Sequence, residues 1–273
     1  EEKPVLLRLI ATLTRQWIDS SREFASRLDV DLETLRREFL QSGTDARVAR
    51  IDGGLSDRHN GGRSVLIVTF EDGARIVYKP KDLRLDVAWH DLIVRLNGSA
   101  PPLELRAVRA IARENYGWTE FIDHTGCADP TGPERFFGRA GAWLALFHCF
   151  VATDMHQENI IAAGDHPVPI DLETILQTSA AGPKAQDEEG AAFDAAADLI
   201  ANSVMRVGLL PAYGRSPDNS VFAMGGLISD WDTKIQLAWT DINTDEMRPT
   251  KRKLVGNTSP NLPHVGGRYT KFG

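Results

Sequence analysis

The stretch Asp154-Met-His-Gln-Glu-Asn159-Ile160 is followed, twelve residues after the asparagine, by Asp171-Leu-Glu173. An aspartate, an asparagine five residues on, and a second aspartate beyond a short apolar segment make an ordered set of oxygen-bearing side chains. Phosphoryl transfer asks for such a set. One carboxylate orients or deprotonates the attacking hydroxyl, and two hard oxygen donors hold Mg²⁺. Asp154 suits the first role, and Asn159 and Asp171 suit the second. Glu173 can orient a ligand or coordinate through water. His156 lies inside the same loop. Ile160-Ile161 and Val168 to Ile170 read as the arms of a hairpin around a Gly164-Asp165 turn.

Nucleotide phosphates also need a cation held in place. Lys79 ends the second arm of another predicted hairpin, Ser64 to Phe70 and Ala74 to Lys79, with Glu71-Asp-Gly73 as its turn. Pro80 stops that strand because proline cannot donate to the ladder. Further upstream lies Ser56-Asp57-Arg58-His59-Asn60-Gly61-Gly62-Arg63. Gly61 and Gly62 let backbone N–H groups approach a phosphate, and Asp57 with His59 adds a general-base or positioning pair. The same segment also reads as an ordinary polar turn before a strand, and it matches neither Walker A nor GxGxxG. The expectation is that Lys79, Asp154, Asn159 and Asp171 surround one metal-bound nucleotide.

Around these motifs, residues 5–28 read as a helix with Leu6, Ile10, Leu13 and Trp17 on one face. Asp31 reads as the cap of a second helix carrying Leu32, Leu35 and Phe39. A loop is predicted from Ile51 to Gly62, a helix over 86–97 and strand pieces over 103–122. Residues 134–150 form an apolar helix pattern through Phe137, Ala140, Trp143, Leu144 and Phe147. Phe193, Ala197, Ile200, Val204 and Val207 mark another helix, stopped by Gly208 and Pro211. Trp118 and Trp143 read as packing residues, and His148 as a hydrogen-bonded core histidine. The division predicted is residues 1–115 as N-terminal helices plus a sheet lobe, 116–122 as a hinge, and 123–273 as a second, truncated lobe.

With 273 residues, 42% hydrophobic and 25% charged, the chain has the length and composition of a soluble globular protein. Its net charge of −7 argues against nucleic acid as the main ligand. Cys127 and Cys149 lack CxxC spacing, so neither a zinc site nor a disulfide framework is signalled. No membrane span and no signal-peptide pattern is visible, and a cytoplasmic location is expected.

Six pieces resemble the dehydratase domain of class II lanthipeptide synthetases, over roughly residues 50–211. They are Asp57-Arg-His-Asn-Gly-Gly-Arg-Ser64, Val77-Tyr-Lys-Pro-Lys-Asp82, Tyr116-Gly-Trp-Thr-Glu120, Asp154-Met-His-Gln-Glu-Asn-Ile160, Ile170-Asp-Leu-Glu-Thr174 and Ser203 to Pro211. The resemblance implies an α+β, two-lobed fold similar to lipid kinases, with an antiparallel sheet in the N-lobe and a mainly helical C-lobe. It implies ATP and Mg²⁺ as cofactors. The implied partner is a ribosomal precursor peptide, through its leader and its Ser/Thr-containing core. Ser and Thr are phosphorylated, and phosphate is then eliminated to leave dehydroalanine or dehydrobutyrine. By the same resemblance Lys79 contacts phosphate near Gly61 and Gly62, and Asp57 and His59 form the upstream activity motif. Asp154 and His156 form the catalytic-loop pair, Asn159 and Asp171 bind Mg²⁺, and Glu173 is the acidic partner after them. Two departures stand out. The arginine and threonine motif used for elimination is not found before Gly273, and the zinc cyclase domain expected in the full-length chain is absent. The chain therefore reads as a fragment of a longer protein.

Other readings stay open. Aminoglycoside- or choline-kinase-type phosphotransferases share Asp-x-His-x-x-Asn and Ile-Asp-x-Glu. They usually carry a histidine two residues before the aspartate, where this chain has Ala152. A non-catalytic, pseudokinase-like module would bind a leader peptide, and nucleotide, without turnover. A metallophosphatase using Asp57 and His59 explains neither Lys79 nor the order of the hairpins.

Overall fold

Between Pro4 and Phe39 the only proline is the first residue and there is no glycine, so nothing in the sequence interrupts a helix. The computed structural model accordingly has one 36-residue helix, α1 (Pro4–Phe39), in place of the two helices expected. It describes residues 3–40, 46–53, 61–176, 188–215, 221–228, 235–242, 244–253 and 259–270. The further elements are β1 (Val48–Asp52), β2 (Leu66–Phe70), β3 (Arg75–Lys79), α2 (Arg84–Asn97), β4 (Ala110–Arg113), β5 (Tyr116–Glu120) and α3 (Gly132–Cys149). They continue with β6 (Ile160–Ala163), β7 (His166–Pro169), α4 (Glu188–Ala201), β8 (Ala212–Arg215) and β9 (Val221–Met224). The last are β10 (Ile235–Thr240), β11 (Arg248–Lys253), β12 (His264–Val265) and β13 (Arg268–Tyr269). The chain divides into two units, Glu1–Leu92 with Val108–Phe121, and Ile93–Ala107 with Ile122–Gly273. The segment 116–122, read as a hinge, contains β5, and the units divide after Phe121.

The first unit is built on an antiparallel sheet ordered β1-β2-β3-β5-β4. The Glu71–Gly73 turn joins β2 to β3, whose register pairs Leu66 with Tyr78 and Val68 with Ile76. β1 begins inside what sequence reading left unassigned and runs into the expected loop, because its burial does not alternate: only its two ends are half-buried. One face of the sheet packs against α1. Phe24 and Leu35 of the helix meet Val68, Phe70, Ile76, Tyr78 and Trp118. The predicted face of Leu6, Ile10, Leu13 and Trp17 stays exposed instead.

Asp31 is not a cap. It is 2% exposed within α1. Its carboxylate accepts from Arg113 Nε at 2.8 Å, Tyr116 Oη at 2.9 Å and Trp118 Nε1 at 2.8 Å. A carboxylate inside a core is tolerated only when paired and hydrogen-bonded, and here the donors come from β4 and β5. Nearby, Glu23 pairs with Arg27 and Arg63, and Arg27 donates to Tyr78 Oη at 2.6 Å.

In the second unit, α3 buries Phe136, Ala140, Trp143 and Phe147 at spacings of four, three and four. Trp143 Nε1 donates to Pro167 O at 2.8 Å, tying α3 to β7. At the β6–β7 turn, Asp165 meets Arg135 at 2.5 Å and Arg139 at 3.1 Å. Burial opposes ionisation of Asp165, yet the two guanidinium groups outweigh it and hold the carboxyl below its ordinary range. His124 packs beside His264, with ring centroids 5.0 Å apart, and stacks on Tyr269. Burial, then the neighbouring His264, lowers its pKa. His148 Nδ1 is buried with no hydrogen-bond partner among the described residues, contrary to expectation, since Leu144 and Phe147 beside it on α3 carry no polar side-chain atom.

This unit is mixed rather than mainly helical. Besides α3 and α4 it contains the hairpins β6–β7, β8–β9, β10–β11 and β12–β13, because turn residues punctuate short strands along 212–269. The helix expected through Val207 ends at Ala201, and Val204–Val207 is a 3-10 turn that Gly208 closes in a left-handed conformation. Ile200, expected on its buried face, is exposed.

Asp31→Ala is expected to lower the unfolding free energy by about 3 kcal/mol, since it strips a buried ion pair of one partner. Denaturant titration measures it. Burial, and then its bond to Asp31, pushes Tyr116 from an ordinary value of 10.0 up to about 12. Tyrosine in the unfolded chain ionises first, so this stability is present below about pH 10 and is lost as pH rises towards 12. Denaturation midpoints across that range should fall less steeply in Tyr116→Phe. Some slope remains from Tyr78, whose pKa burial also raises.

Candidate active site

α3 ends in a Schellman closure: Val151 takes φ +57°, Ala152 N bonds to Phe147 O at 2.8 Å and Val151 N to His148 O at 3.2 Å. The chain then enters the Asp154 loop. Asp154 adopts φ +62°, a left-handed conformation that aspartate tolerates better than most residues but at a cost. Its side chain is 57% exposed. A 3-10 turn over Gln157–Asn159 follows, closed by Asn159 N to His156 O at 3.0 Å.

Three of the sequence-predicted residues gather here. Asn159 Nδ2 donates to Asp154 O at 2.9 Å and lies 3.5 Å from His156 Nε2. With its nitrogen engaged, Asn159 keeps Oδ1 for a cation. His156 Nδ1 accepts from Glu158 N at 3.2 Å, and Nε2 lies 3.7 Å from Asp154 Oδ1. Because Nδ1 accepts, the neutral ring carries its proton on Nε2, the nitrogen that faces the Asp154 carboxylate.

The β6–β7 hairpin brings the second acid to the same end. Ile160 pairs with Pro169, and Ile170 N donates to Asn159 O at 2.9 Å. Asp171 is the next residue. Its Oδ1 accepts from Glu173 N at 3.2 Å. Thr174 Oγ1 donates to Thr153 O, and Leu176 N to Phe150 O at 2.9 Å, so the segment after Asp171 folds back on the loop before Asp154. Thr174 is a brace that sequence reading passed over, since a lone threonine after Asp-x-Glu carries no signal of its own. Among the described residues no three His, Cys, Asp or Glu side chains form an all-protein metal cage. Asn159 Oδ1 and the Asp171 carboxylate are hard oxygen groups of the kind Mg²⁺ accepts.

Lys79 belongs to the first unit. It ends β3 opposite Gly117 of β5 and is 7% exposed. Gly61 and Gly62 take φ +83° and +90°. A Cβ at Gly62 would lie 2.9 Å from Gln16 Cβ, so packing against α1 already accounts for that glycine. Arg63 beside it pairs with Glu23 at 2.7 Å, and this hydrogen bond raises the Arg63 pKa. A cavity of about 740 Å³ in this unit is lined by Gln16, Trp17, Gly62, Arg63, Leu66 and Tyr78 among others. Lys79 does not line it. Asp57 and His59 lie outside the described residues.

The tautomer is a checkable consequence. Nitrogen NMR of the neutral protein should show His156 with an unprotonated Nδ1; the opposite tautomer contradicts the loop geometry.

The family described as Domain of unknown function (DUF4135) matches residues 4–273. Among curated proteins, the chain is 24% identical over 188 residues to the Lacticin 481/lactococcin biosynthesis protein LcnDR2 of Lactococcus lactis subsp. lactis. That alignment takes in 66% of this chain and 20% of the relative, so the chain spans about one fifth of the relative's length.

Proposed function

The chain belongs to the DUF4135 family, a domain associated with class II lanthipeptide synthetases, and from that premise we propose that it carries phosphorylation machinery for Ser and Thr side chains of a precursor peptide. The relative's part in lacticin 481/lactococcin biosynthesis supports placing the chain in lantibiotic production. The observation that carries the reading is the single loop-and-hairpin assembly in which Asp154, His156, Asn159 and Asp171 lie along one bonded path.

The roles we assign are these. Asp154 presents an exposed carboxylate to the substrate hydroxyl and takes its proton. His156 carries its proton on Nε2, the nitrogen 3.7 Å from that carboxylate, so the neutral ring has no lone pair on that side and we assign Asp154 as the acceptor. Asn159 Oδ1 and the Asp171 carboxylate would hold Mg²⁺, which would supply charge neutralisation at the phosphate. Glu173 donates its backbone N–H to Asp171 and so fixes that carboxylate. Lys79 is assigned to the nucleotide phosphates and Gly61-Gly62 to their neighbourhood by the resemblance, as are Asp57 and His59 to the activity motif. The reading places the two-lobed lipid-kinase-like fold behind this chemistry, supported by a lysine ending the third strand of an antiparallel sheet. In the second step the Cα proton is removed, the Cβ–O bond breaks and phosphate departs, leaving the alkene of a dehydroamino acid.

In the full-length protein, Asp154→Ala is expected to lower ATP-dependent phosphopeptide formation by about 10²–10⁴-fold, the range for loss of a general base. Lys79→Ala should likewise abolish dehydration. Mass spectrometry of the precursor peptide reads both, and normal dehydration by either variant defeats the reading. Glu173→Ala or His59→Ala is expected to accumulate phosphorylated, undehydrated peptide if the two steps share these groups; finding only unmodified peptide rejects that sharing.

A further inference from the structure

Asp154 is held in a left-handed conformation, and such a backbone persists only where its surroundings over-determine it. The loop is the first of three stacked backbone segments, with Val207–Leu209 and Gly226–Leu227 behind it. Met155 is fully buried, and its N–H donates to Val207 O at 2.9 Å. Gly208 sits against the same bond: a Cβ there would lie 3.3 Å from Met155 N and 3.6 Å from Asp154 N. Gly226 N donates to Gly208 O at 2.9 Å, and Leu227 N to Leu209 O at 3.0 Å. A Cβ on Gly226 would lie 2.4 Å from Met155 O, so the third segment presses directly on the loop.

One side chain ties the third segment down. Asn261 is 3% exposed, and its Nδ2 donates to Gly226 O at 2.9 Å and to Ile228 O at 2.8 Å. Only a group with two N–H donors on one atom meets both carbonyls, and a carboxamide in this position does so without burying charge. The same turn reaches the other half of the loop, because Pro260 O accepts from Ala162 N of β6 at 2.6 Å. Residues 260 and 261 therefore grip both the backing of Asp154 and the strand that begins beside Asn159.

We propose that Asn261 is a positioning residue for the Asp154 loop, acting through Gly226 and Met155. The assignment rests on the phosphotransferase reading for its effect on rate, but not for its effect on the backbone. Asn261→Asp keeps the shape and replaces the donors with an acceptor facing two carbonyl oxygens.

The test uses the full-length protein. Hydrogen exchange of the Met155 amide is expected to speed up at least about tenfold in Asn261→Asp, while amides of β2 and β3 keep their protection. Phosphopeptide formation should show kcat reduced about 10–100-fold with KM for ATP within about twofold, the pattern of a misplaced reacting group. Unchanged Met155 exchange, or a folded variant with unchanged kcat, overturns the proposal. A wild-type protein that forms no phosphopeptide refutes the phosphotransferase reading alone, and the exchange measurement still decides the positioning role. If Asn261→Asp does not fold, Gly226→Ala carries the same two measurements, since its Cβ displaces Met155 O directly.

Discussion

A charge buried in an apolar core must find its partners there, and the Asp31 carboxylate finds three on β4 and β5. That requirement sets where α1 lies along the sheet: sliding the helix by one turn would strand the carboxylate and leave Trp118 Nε1 without its acceptor. The register so fixed has further effects. It brings Glu23 to Arg63 and Arg27 to Tyr78, so the helix also braces the turn after the Asp57 motif and the strand that ends in Lys79. The aromatic cluster of Phe24, Tyr78 and Trp118 fills the space between these polar ties.

The second unit solves a different problem. The side chain of Asp154 is more than half exposed, and its loop is fixed by hydrogen bonds to backbone. Asp154 and Asn159 share a hydrogen bond, Asn159 and Ile170 share another, and the buried side chains of Met155, Ile160 and Leu172 alternate with the polar ones. The apolar residues of this segment anchor it, and the polar residues lie between them.

The hairpins were legible because their physics is local. Short apolar, β-branched runs over 66–79 and 160–170, with Gly73 and Gly164 at the turns, mark both pairs of strands, and the helix of α3 follows from its apolar spacing. The Asp154–Asn159 spacing likewise pointed to residues that the structure joins by a hydrogen bond. What sequence reading missed depends on distant partners. Asp31 looks like a cap because its neighbours suit one, and only Arg113, Tyr116 and Trp118, far along the chain, make it a buried anchor. Leu6, Ile10 and Leu13 show helical periodicity, but periodicity does not say which surface is covered. Gly226 and Asn261 matter through contacts with Met155 and one another that no local pattern encodes.

The order of these pieces along the polypeptide has a consequence for biogenesis. Asp154 leaves the ribosome roughly a hundred residues ahead of Asn261, an interval of about 5–20 s at ordinary translation rates. Throughout that time the nascent loop lacks the strut that sets its left-handed turn. The emerging chain therefore carries Asp154 in an unset conformation until the turn containing Asn261 docks.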